Sequence, residues 1–200
     1  MIAETSDCRD FLKIKSSQEW LSMALSNFDA FLVDHAACER KASAMCMSFV
    51  VRYPDHTELL DTMIRLAREE LEHFHEVYHI MGQRGLKLGA DVKDDYVNQL
   101  VSLSRTGRKE RLMDRLVISG IVEARGCERF YMIAEALKEV DPPLAGFYDE
   151  LARSERRHHT FFIELAQKIF PKEDVSKRVE ELLNAEATII QELPLRPILH

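Results

Sequence analysis

The sequence is poor in residues that bend or break a chain: 7 Gly and 6 Pro in 200 residues. So little Gly and Pro is the composition expected of a helical, soluble protein. No apolar run reaches the roughly 18–20 residues of a membrane span. Met1 to Lys15 is mixed in charge and lacks the apolar stretch of a signal peptide, so a cytoplasmic protein with no membrane partner is expected. The four cysteines, Cys8, Cys38, Cys46 and Cys127, show no CxxC and no zinc-like spacing. They read as buried reduced thiols. No glycine-rich flavin or NAD motif is present. Nor is there a basic excess: 27 Lys and Arg face 34 Asp and Glu, for a net charge of −7. That argues against a general nucleic-acid binder but leaves room for a local basic face.

What the chain has is helix-forming composition: 46% hydrophobic and 30% charged residues, interleaved at helical spacing. Ser16-Ser17-Gln18-Glu19 resembles a capping box, with Ser16 as N-cap, opening a short helix to about Leu25. Long helices are expected over about 27–53, 55–81, 108–139 and 144–170, with a further helix over about 174–192. Tyr53-Pro54-Asp55 separates the first pair and Asp141-Pro142-Pro143 the second, while Gly82 and Gly85 end the second helix. Residues 86–107 form a long connection with one short helix, Asp95 to Ser104. Two antiparallel helix hairpins joined by a long crossover make an all-α, ferritin-like four-helix bundle, with additional short N-terminal and C-terminal helices, as one domain over 1–200.

One stretch sets the register of this plan. Ala67-Arg68-Glu69-Glu70-Leu71-Glu72-His73 has a near copy 85 positions on, Ala152-Arg153-Ser154-Glu155-Arg156-Arg157-His158. Each copy holds Glu-x-x-His, whose two side chains share a helix face and can close on one metal ion. Glu72/His75 has the same spacing but is turned about 200° away and has no ligand chemistry in the other copy.

A carboxylate-bridged two-metal site needs one Glu from each of the two remaining helices. Glu39 qualifies, on an apolar face with His35 one turn before it. On the third helix Glu123 is taken over Glu128. Its face is apolar and small (Leu116, Ser119, Gly120, Cys127), whereas that of Glu128 carries Asp114, Arg125, Glu135 and Glu139 and reads as surface. Glu128 is then expected to pair with nearby Arg residues.

The ligand set is Glu39, Glu70, His73, Glu123, Glu155 and His158, with His35 supporting it and no catalytic side chain beyond it. His159 is expected at the surface or behind the ligands. Met45, Met47, Met63 and Met132 read as core filler. Four carboxylates balance two divalent ions, so metal is expected to stabilise the fold. Carboxylate with imidazole suits Fe or Mn better than Zn or Mg. Arg105, Arg108, Lys109 and Arg111 form a basic cluster at the crossover, a candidate phosphate contact.

These motifs resemble the bacterial MiaE family. The resemblance is carried by Asp34-His35-Ala36-x-x-Glu39, Arg68-Glu69-Glu70-Leu71-x-His73-Phe74, Glu123-Ala124-Arg125-x-Cys127-Glu128-Arg129-Phe130 and Ser154-Glu155-x-x-His158. It runs from about Trp20 to Ala166, with the motifs in order. It implies a non-haem di-iron monooxygenase that uses O2 to hydroxylate the isopentenyl side chain of 2-methylthio-N6-isopentenyladenosine, next to the anticodon in tRNA. Both Glu123 and Glu128 lie in the matching motif, so the resemblance does not choose between them. Without a flavin or NAD motif, the electrons must come from outside, from a reductase or ferredoxin. A different di-iron oxidase, or an iron-storage or ferroxidase protein, is the alternative.

Overall fold

A computed structural model describes residues 8–200. Among them every regular element is a helix. The elements are α1 (Cys8–Phe11), α2 (Gln18–Ser26), α3 (Phe28–Arg52), α4 (Thr57–Gln83), α5 (Asp95–Ser102), α6 (Arg108–Leu137), α7 (Pro142–Ile169) and α8 (Lys172–Glu192). They fall into two compact units. One comprises Ser22–Val92 and Arg196–Leu199; the other takes in the residues up to Leu21, Lys93–Leu195 and His200.

In the first unit α3 packs against α4 as an antiparallel hairpin. Tyr53 closes α3, its N–H bonded to Phe49 O, and Pro54 forbids continuation. The end of α4 shows why two glycines stand there. Gly85 adopts φ +70, the left-handed region. Its N–H bonds Gly82 O, and Leu86 N–H bonds Met81 O, which together form a Schellman closure. Gly82 is therefore still helical, and only Gly85 is required by its backbone. The hairpin buries Phe31, Leu32, Phe49, Leu59, Met63 and Leu66.

In the second unit α6 packs on α7, and α1, α5 and α8 cover α6. Asp141 caps α7, accepting from Leu144 N at 3.1 Å, and the two prolines occupy the first turn. The sequence reading has them only as a stop. In the first helical turn their missing N–H groups cost nothing. Gly120 lets α6 and α7 approach closely: a Cβ there would meet Ile163 Cδ1 at 3.0 Å and the His159 carbonyl at 3.3 Å.

Several expectations are corrected in this unit. The N-cap of α2 is Ser17, whose Oγ accepts from Trp20 N at 3.1 Å, and not Ser16. Ser16 is drawn away because its N–H and Oγ both bond the Glu128 carboxylate, at 2.6 and 2.7 Å. The face of α6 bearing Glu128 is not surface either. Asp114, Arg125 and Glu128 are buried, while Glu135 and Glu139 are exposed as expected. The reason is tertiary: the N-terminal arm and α8 lie on that face and bring partners for each charge.

Arg125 donates to Glu128, Glu186 and Ile14 O. Burial disfavours its charge, but Tyr96, Glu186 and Glu128 around it hold the guanidinium protonated more firmly than usual. Burial, with Glu186 beside it, pushes the Tyr96 hydroxyl well above its ordinary pKa. Burial pulls Arg129, stacked 4.3 Å over Trp20, down to about 10, so it stays cationic at neutral pH. Two of the four cysteines are not reduced thiols: Cys8 and Cys127 form a disulfide between α1 and α6, while Cys38 and Cys46 are buried outside any disulfide. Met47 is also not core filler; it is exposed on α3.

Candidate metal centre

Each hairpin brings together a group of carboxylates and an imidazole of its own. In the first unit, Glu39 comes from α3 and Glu70 and His73 from α4, with one ligand atom of each within 4.8 Å of the others. Glu39 and Glu70 stand at matching distances from the Pro54 turn, which puts them at one height. His73 Nδ1 lies 3.2 Å from Glu70 Oε2 and 3.8 Å from Glu39 Oε2. Behind Glu39, His35 Nε2 hydrogen-bonds Glu39 Oε1 at 2.7 Å. With His35 fully buried, this bond fixes the carboxylate's orientation.

In the second unit, Glu123 comes from α6 and Glu155 and His158 from α7, again with ligand atoms within 4.8 Å. His158 Nδ1 is 3.1 Å from Glu155 Oε2. The other ring nitrogen, Nε2, is 3.5 Å from Ser154 Oγ, which itself accepts from Arg157 Nη2 at 3.1 Å. Sequence reasoning missed Ser154. Its place one turn before His158 on the same face was the available signal, as with His35 before Glu39.

Glu128 is held elsewhere on α6, by Ser16 and Arg125, and Glu123 is the third-helix carboxylate that lies with Glu155 and His158. His159 is buried rather than at the surface. Its Nδ1–H donates to Gly120 O at 2.8 Å, its ring lies 4.2 Å from Phe11, and burial lowers its pKa.

The donors fit an iron-type ion. Glu39, Glu70, Glu123 and Glu155 are all buried, at 8% exposure or less. Buried carboxylates in such numbers ask for cations. In both halves the imidazole Nδ1 converges with a carboxylate oxygen on one point, a mixed O/N set.

Of the basic cluster, Arg105 is committed: its Nε and Nη2 bond the buried Asp114, which Arg178 also holds. Burial opposes ionisation of Asp114, yet these bonds keep its pKa below the ordinary carboxylate value. Arg108, Lys109 and Arg111 are exposed on the first turn of α6.

Comparison with known proteins decides the family. The family described as MiaE: tRNA-(MS[2]IO[6]A)-hydroxylase matches residues 3–200. The chain belongs to the MiaE family. A tRNA 2-(methylsulfanyl)-N(6)-isopentenyladenosine(37) hydroxylase of Pseudomonas putida is 35% identical over 181 residues, covering 90% of this chain and 87% of the relative. A Salmonella typhimurium protein of the same name is 29% identical over 230 residues, covering 90% of this chain and 84% of its own.

Among solved structures, a Synechococcus protein with aldehyde deformylating oxygenase activity shares the fold. Its TM-score is 0.89, with 33% identity and 95% of both chains covered. The chain thus has the all-α, ferritin-like fold, with two hairpins joined by a long crossover. Among the described residues no helix is long and apolar enough to cross a membrane.

Proposed function

We propose that this MiaE-family chain hydroxylates the isopentenyl side chain of 2-methylthio-N6-isopentenyladenosine in tRNA at a carboxylate-bridged di-iron site. The ligands are Glu39, Glu70, His73, Glu123, Glu155 and His158. Family membership over nearly the whole chain carries the reaction. The repetition of one buried Glu plus one Glu-x-x-His in each hairpin supports the metal assignment.

Hydroxylating an unactivated C–H bond is beyond side-chain acid–base groups, and O2 activation is the chemistry a bound di-iron pair supplies. The chain's own residues hold, orient and keep dry. His35 fixes the Glu39 carboxylate, and Ser154 lies against the far nitrogen of His158, so both ligands are oriented before metal arrives. Burial of the four carboxylates excludes bulk water from the reacting region.

The modified base must leave its stack to reach such a site, and unpaired anticodon-loop bases splay out readily. Exposed Arg108, Lys109 and Arg111 are suited to contact phosphates of the anticodon arm, whereas the Arg105 guanidinium is spent on Asp114. Electrons come from an external reductase or ferredoxin, and a tRNA substrate implies work in the cytoplasm.

The test is nucleoside analysis of tRNA after incubation with iron-loaded protein, O2 and a reductant. A gain of one oxygen on the isopentenyl adenosine is expected. An unchanged nucleoside with fully loaded protein refutes the reading. The structural neighbour favours one second reading, aldehyde deformylation; replacing tRNA by an aldehyde in the same incubation separates the two.

A further inference from the structure

The exposed side of α4 carries a motif that the reaction does not use: His75-Glu76-Val77-Tyr78-His79. It places two histidines at i and i+4 with Glu between them, the arrangement by which a helix presents two imidazoles to one zinc ion. Both rings are exposed, and both are built for convergence. Their Nε2 atoms are 3.0 Å apart and their centroids 4.4 Å apart. Two nitrogens each about 2.0–2.1 Å from one ion stand roughly 3.0 Å apart at right angles and about 3.4 Å apart in a tetrahedron. The observed separation needs almost no side-chain movement to become a chelate.

We propose that His75 and His79 form a second, peripheral site for a divalent transition-metal ion of the Zn2+ class, completed by water. The donor chemistry sets it apart from the carboxylate-rich centre. Two imidazoles and no carboxylate favour Cu2+, Ni2+ and Zn2+ over Fe2+. Among the described residues, no third His, Cys, Asp or Glu joins the pair within 4.8 Å. The pair is therefore a binding site and not a peptidase centre. An ion closing this clip ties together two successive turns between His73 and the Gly85 closure. It stiffens the end of the helix that supplies two of the proposed iron ligands, without touching them. The site is independent of the tRNA reaction.

Equilibrium dialysis of the iron-loaded chain against Zn2+, followed by metal analysis, is the test. One additional Zn2+ per chain with iron retained is expected. His75→Ala and His79→Ala should each weaken that Zn2+ about 100-fold, since each loses the advantage of two linked donors. Iron content, unchanged in both variants, shows that they fold. Absence of extra Zn2+ overturns the proposal. So does extra Zn2+ that persists in the His75→Ala/His79→Ala double variant, or Zn2+ gained only as iron is lost.

Discussion

Exchanging Glu128 and Glu123 for alanine, one at a time, separates a carboxylate that holds the fold from one proposed to hold metal. Glu128 accepts from Ser16 N, Ser16 Oγ and Arg125 Nη1 at 2.6, 2.7 and 2.7 Å, with almost no exposure. Removing one partner of a buried pair costs about 3–5 kcal/mol, because the surviving charge stays buried. Arg125 keeps Glu186 and Ile14 O, so the lower figure applies, about 3 kcal/mol. At roughly 2–4 °C per kcal/mol for a chain of this size, the melting temperature should fall by about 6–12 °C. Glu128→Gln retains an acceptor for Ser16 and should fall by about half as much. Iron content should stay at the wild-type level in both.

Glu123→Ala should behave in the opposite way, losing most of its iron while the iron-free protein melts near the iron-free wild type. Calorimetry and metal analysis on the same samples read both quantities. Full iron in Glu123→Ala together with iron lost from Glu128→Ala or Glu128→Gln would refute the assignment.

Three other outcomes follow from the geometry. Asp114 ionises more readily in the folded chain than in the unfolded one, so its stabilisation is present above about pH 4 and lost as pH falls through its lower folded value. Urea melts between about pH 3 and 5 should show Asp114→Asn losing less stability on acidification than wild type; equal loss contradicts the Arg105 and Arg178 bonds. The Cys8–Cys127 bridge closes a separation of 119 residues and should contribute about 2–5 kcal/mol. Adding a thiol reductant should lower the melting temperature, and alkylation of the unreduced protein should label neither cysteine. Replacing Arg108, Lys109 and Arg111 together by Ala should weaken tRNA binding and flatten its salt dependence, by about three counterions if all three meet phosphates. Unchanged binding at low salt would remove that face from the interface.

Local chemistry and periodicity were enough to place the four long helices within a few residues, because prolines, Gly85 and helical hydrophobic spacing act over short range. The repeated Glu-x-x-His singled out Glu70/His73 over Glu72/His75, because two copies in one register constrain each other in a way a single copy does not. Side chains whose partners lie far along the chain were not legible. Asp114, Arg125 and Glu128 look like a solvated face in sequence, since charges at helical spacing usually are one. They are buried because Ser16 and Ile14, Arg178 and Glu186 arrive from 61 to 112 residues away. The pairing of Cys8 with Cys127 and the displaced cap at Ser17 have the same origin. The sequence by itself determined the helices, their register and the donors they carry. The tertiary structure stands Glu123, the sequence's choice, with Glu155 and His158, and only it showed that Glu128 is spent on the N-terminal arm. Helical spacing brings both onto α6, and the choice depends on what packs against each side of it.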